Sequence, residues 1–183
     1  MKDSTFFYSI SSTFLGIKNS NSKYTIKMRS DEFYEDLGPL MNKLLEDDSK
    51  FVFGNIFAKP WSHSPHHIGD HLFAAETCLL RKAYTILYDL YTGSGKENLL
   101  QNPWAVQGFP SHQTAESVLS ISTLKAKNID KDSWYNRDVF LKNYDIVDIN
   151  SLGEYRARWA HANTIYTPSN NPFIWPTKTM EDF

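Results

Sequence analysis

A single cysteine, Cys78, is all that the chain carries, which excludes an intramolecular disulfide and fits a reducing compartment. Also missing is any apolar run near the roughly 18–20 residues that span a bilayer, so no membrane association is expected. No dense run of Lys and Arg occurs, and 19 cations against 21 acids leave a formal net charge of −2. A surface that tracks a phosphate backbone needs an excess of positive charge, so nucleic acid is not expected as the main partner. The opening MKDSTFFYSISSTFLGIKN breaks its apolar residues with Ser and Thr and reads as part of the fold, not as a signal peptide. Neither a repeat nor a low-complexity tract is present. These absences point to a soluble, intracellular, cytoplasmic protein.

Aromatic residues are what the chain has in quantity. Twelve Phe, ten Tyr and five Trp make up 15% of it, and such side chains suit a tightly packed core or an interface. With 183 residues, one domain spanning 1–183 is the expectation.

Residues 1–28 read as a β-ribbon. Phe6, Tyr8 and Ile10 alternate with more polar neighbours, as do Tyr24, Ile26 and Met28, and KNSNSK between them is a turn-rich break. FVFGNIF at 51–57 offers a third strand, with Gly54 weakening it or marking a bulge. From 30 to 166 the pattern turns helical. Ser30 or Asp31 is a natural cap, and Gly38-Pro39 requires a kink or a restart. The longest helix is expected over about 66–91, on the stripe Ile68, Leu72, Ala75, Leu79, Ala83, Ile86 and Leu90. TGSG at 92–95 ends it. A third helix is expected over 112–127 and a last one over 151–166, and 167–183, with three prolines, is an extended arm. The sum is a mostly α (α+β) domain: a helical bundle of about four helices with an N-terminal β-ribbon.

Four of the six histidines lie in WSHSPHHIGDH, Trp61–His71. On a helix, His67 and His71 at i and i+4 share a face and could hold a divalent metal. The alternative is that His63, His66 and His67 lie in a solvated loop and first turn, which Pro65 and Gly69 favour. On the helical wheel His71 sits at the edge of the buried arc and is the strongest single candidate.

The run KPWSHSPHHIGDHLFAAE resembles the DinB-like (YfiT-like) four-helix-bundle superfamily in Trp61-Ser62, His71-Leu72 and Glu76. SLGEYRARWAHANTIY resembles that family's last helix, although Ile165 stands where the second histidine of His-x-x-x-His would be. What the resemblance implies is a helical bundle with a divalent metal (Zn, Ni or Fe) on His71 and His161, to which the i, i+4 spacing adds His67 as a further candidate ligand. Glu76 is then a catalytic candidate, and the activity a metal-dependent hydrolase or thiol transferase on a small-molecule substrate. A degenerate site is the alternative. GFPSHQTAES at 108–117 resembles the Pro-Ser-x-His run of acid phosphatases, which makes His112, beside Ser111, a second catalytic candidate. Ser111 is also a simple helix cap. Cys78 lies about two helical turns from His71, too far for a thiol–imidazole pair.

A non-catalytic reading starts from the termini. Phe173 and Trp175 on an extended arm are typical docking residues, so a structural or assembly subunit that binds itself or another protein is the alternative to an enzyme. Both arms folding back on their own domain is the competing possibility.

Overall fold

Ile10, Phe14 and Ile17 are spaced four and three residues apart, and that stripe decides the N-terminal segment. In the computed structural model, which describes residues 5–56, 58–61, 65–92 and 115–157, α1 (Thr5–Lys18) is a helix. The first half of the expected ribbon is therefore wrong. The short run Phe6–Ile10 fits both a strand and a helix period, and burial of Ile10 and Ile17 with Phe14 stacked on Tyr88 at 4.6 Å selects the helix. The second half of the ribbon is a strand as expected, β1 (Tyr24–Met28).

Beyond it come β2 (Glu32–Tyr34), α2 (Gly38–Glu46) and β3 (Phe51–Gly54). Of the two options at Gly38-Pro39, the chain takes the restart. Pro39 sits in the first turn of α2, and the Asp36 carboxylate accepts the Gly38 N–H at 2.7 Å. Next in order are β4 (Leu72–Glu76), α3 (Thr77–Thr92), α4 (Ala115–Ala126), α5 (Arg137–Asn143), β5 (Tyr144–Val147) and β6 (Tyr155–Ala157).

The helical bundle is overturned by a sheet. Among the described residues five α-helices surround a four-stranded sheet of order β1-β4-β3-β5 and a separate two-stranded pair, β2-β6. β4 runs antiparallel to both β1 and β3, and β5 runs parallel to β3. The long helix expected over 66–91 begins only at Thr77. β4 is central, so Leu72, Phe73, Ala74 and Ala75 are all buried and the strand alternation vanishes. The expected final helix is likewise replaced over its first half by a short 3-10 turn (Ile149–Leu152) and by β6. The remainder of that helix and the 167–183 arm lie outside the described residues.

Alternation along the central strands divides the core in two. Phe51, Phe53, Phe73 and Ala75 face α1, α3 and α4, whereas Val52, Leu72 and Ala74 face α2 and the β2-β6 pair. Each buried Phe or Leu contributes roughly 2–3 kcal/mol. No described helix is long and apolar enough to cross a membrane.

Asn55, fully buried past the end of β3, ties the sheet to the turn after β5. Its Oδ1 accepts the Ile149 N–H at 2.9 Å and its Nδ2 donates to Asp148 at 3.1 Å. Asn55→Ala strands a buried N–H and is expected to cost about 2–3 kcal/mol in urea unfolding. A loss under about 0.5 kcal/mol would show that the clamp is not formed.

Candidate functional site

The register Met28↔Leu72 brings the end of β1 beside the start of β4. Lys27 therefore lies next to the 69–71 turn, where its ammonium donates to the Asp70 carbonyl and sits 3.8 Å from Asp70 Oδ2. The chain then reverses through 29–31 into β2. Residues 32 and 34 share one face of that strand and are buried, while Phe33 points outward and is half exposed. This reversal carries the Glu32 carboxylate over His71.

Glu32 Oε1 is bonded to His71 Nδ1, and Glu32 Oε2 accepts the Tyr34 hydroxyl at 2.6 Å. The Glu32 side chain has no exposed surface and that of His71 only 8%. A carboxylate has no proton to give, so His71 carries its hydrogen on Nδ1. Nε2 lies 3.8 Å from Asp70 Oδ1. Arg29 is 3.9 Å from Glu32, but its fork is spent on Asp31 at 2.9 and 2.8 Å. That bond holds the Asp31 carboxyl below its ordinary range. Burial, then the Glu32 charge, pushes the Tyr34 phenol far above its ordinary value.

A second histidine site lies nearby in sequence but serves another part of the core. His66, 1% exposed and with φ of 64°, is ringed by Trp61, Tyr135 and Phe140 at 4.9, 5.3 and 5.6 Å. Its Nδ1 meets Ser120 Oγ at 3.1 Å, and Ser120 in turn bonds the Tyr144 hydroxyl at 3.2 Å. Among the described residues its Nε2 makes no hydrogen bond of ordinary geometry. Burial pushes this imidazole down to about 4, against the pull of the Trp134 backbone. Burial, then the Lys59 cation, takes His67 down to about 4 as well.

The expected solvated loop is thus wrong for His66 and His67, which are buried. The shared helical face of His67 and His71 is wrong too, because residues 65–71 are not helical. Gly69 lies directly on the end of β3, where a Cβ would meet the Gly54 and Ile56 carbonyl oxygens. Among the described residues no three His, Cys, Asp or Glu side chains converge on a point that could hold a metal ion. The metal set His67, His71 and His161, expected from the spacing and the DinB-like resemblance together, is therefore not assembled from what is described. His161, its third member, lies outside those residues, as do His63, Ser111, His112, Phe173 and Trp175. Glu76 is at the far end of β4, roughly 16 Å along the strand from His71, so the structure does not bring the two together. It lines an open cleft of about 280 Å³ with Lys23, Thr77, Cys78 and Arg81. The exposed Cys78 thiol there is pushed up by partial burial and by Glu76, which disfavours the reactive thiolate.

Glu32 and Tyr34 were missed by sequence reasoning. The signal was a three-residue alternation, too short to separate from a helix cap.

No family model matches the chain, and neither a curated protein nor a solved structure does.

Proposed function

We propose that the chain is a hydrolase in which His71, oriented by Glu32, is the general base that deprotonates water. The observation that carries this reading is the buried carboxylate–imidazole bond. A base held by a third group in a fixed tautomer is the arrangement that hydrolytic sites use to activate a nucleophile. With the hydrogen on Nδ1, Nε2 presents its lone pair on the side of Asp70. When Nε2 takes a proton, the adjacent Glu32 charge stabilises the imidazolium. The 3.8 Å separation from Asp70 is too long for a direct hydrogen bond and suits one bridged by water.

A panel of chromogenic esters and phosphoesters tests the reading. Hydrolysis should fall at least about 100-fold in His71→Ala, as for removal of a general base, and also in Glu32→Gln, which leaves the imidazole without its orienting charge. Glu76→Gln should be unaffected. No hydrolysis anywhere in the panel, or hydrolysis undiminished in His71→Ala, sinks the proposal. Metal content of the same preparations separates the metal-dependent version. Stoichiometric Zn, Ni or Fe lost in His71→Ala would make His71 a ligand and Glu32 the carboxylate that orients it. The assembly-subunit alternative rests on Phe173 and Trp175. The large exposed apolar residues that are described, such as Leu15 and Leu45, are ordinary single surface residues and add nothing to it.

A further inference from the structure

We infer that Tyr34 is a positioning residue of this site: by donating to Glu32 Oε2, its hydroxyl keeps Glu32 Oε1 on the Nδ1 proton of His71. The inference rests on the Glu32–His71 reading above and names what holds that pair together.

A glutamate side chain has enough torsional freedom to leave a partner unless its other oxygen is also held. Here the second oxygen has a short bond, 2.6 Å, to the hydroxyl of a buried tyrosine. Tyr34 is 6% exposed and stands opposite the fully buried Tyr155 in the β2-β6 ladder, ring centroids 5.3 Å apart. Burial keeps the phenol protonated, so it is always a donor to the carboxylate. Arg29 does not replace it. At 3.9 Å the guanidinium contributes charge without a hydrogen bond, and its fork is closed on Asp31. Removing the Tyr34 hydroxyl leaves Glu32 Oε2 without that donor in a buried site. The carboxylate is then drawn toward Arg29, and the other imidazole tautomer, with hydrogen on Nε2, can compete.

Long-range proton–nitrogen correlation spectra of the ¹⁵N-labelled full chain read this directly, with the His71 ring signals assigned by their loss in His71→Ala. The wild type should show His71 with its hydrogen on Nδ1. In Tyr34→Phe the tautomer ratio should shift on the order of tenfold, as expected for loss of a hydrogen bond to a charged acceptor, with the His66 and His67 signals in place. A His71 signal unchanged in a folded Tyr34→Phe chain overturns the inference. Should Tyr34→Phe not fold, the wild-type Tyr34 hydroxyl proton decides instead. A protected, slowly exchanging resonance supports the anchor, and a rapidly exchanging one overturns it. No substrate enters these readouts, so they can succeed even where the hydrolase reading fails. Conversely, hydrolysis that depends on His71 while Tyr34→Phe leaves the tautomer unchanged sinks only the role of Tyr34.

Discussion

Gly69→Ala is expected to unfold the chain or to cost it more than about 4 kcal/mol, the range reserved for severe core or backbone disruption. The reason is contact with backbone, not with side chains. A Cβ on residue 69 would fall inside the van der Waals envelope of two carbonyl oxygens, those of Gly54 and Ile56. A side chain could rotate away, but these oxygens belong to the backbone at the end of β3, a strand paired with both β4 and β5, and just after it. Relief requires lifting the 65–71 segment off the sheet, and that segment carries three buried histidines. Two other glycines supply the controls. A Cβ at Gly54 would meet Leu72 Cβ at 3.3 Å, a contact that a shift of a few tenths of an ångström between β3 and β4 relieves, so Gly54→Ala should cost much less. A Cβ at Gly16 in α1 would meet nothing within 4 Å among the described residues, and Gly16→Ala should stabilise by about 0.5–1 kcal/mol through helix propensity. Urea unfolding of the three variants ranks them. A Gly69→Ala chain within about 1 kcal/mol of wild type would mean that the 65–71 segment does not lie on β3.

That close approach also explains what could be read from the sequence and what could not. β1 and β3 were legible because alternation or a short apolar run sets a strand apart, and α4 was legible from the helix entry at Pro110-Ser111 and the partly amphipathic run TAESVLSISTL that follows. β4 was not. Buried on both faces, Leu72–Ala75 lacks the polar beat of a surface strand, and its apolar residues merge into the stripe of α3 that follows. A helix from 66 onward was the natural misreading, and the sheet was lost with it. The site fared in the same way. His71 was singled out on the wheel of a helix that does not reach it, since residues 65–71 are not helical, and its partner lies 39 residues away. Nothing local in Glu32-Phe33-Tyr34 announces that the first and third residues turn inward beneath a histidine. That depends on the β1–β4 register and on the reversal at 29–31, both long-range consequences of the fold.

Acid is expected to destabilise the chain through His66. Its folded value is about 4 against 6.5 for an ordinary imidazole, so between those limits the unfolded chain binds a proton that the folded chain refuses. Stability must then rise with pH across that window. It is fully present above about 6.5, falls as the pH drops, and the loss is complete near 4. At about 1.4 kcal/mol per unit, the drop amounts to roughly 3 kcal/mol. The cause is burial, not a neighbouring charge. The ring is enclosed by Trp61, Tyr135 and Phe140, and a second proton would sit on a nitrogen without a well-formed acceptor among the described residues. His67, held down by burial and by Lys59, adds to the same slope. His66→Asn isolates the contribution, because asparagine tolerates the left-handed backbone at φ 64° and does not titrate. The variant loses ring packing and should be less stable than wild type at pH 7.5. Its unfolding free energy should nonetheless fall by about 3 kcal/mol less than wild type between pH 6.5 and 4. Parallel pH profiles for the two chains would show that His66 titrates alike in the folded and unfolded states, and that the aromatic enclosure does not exclude its charged form.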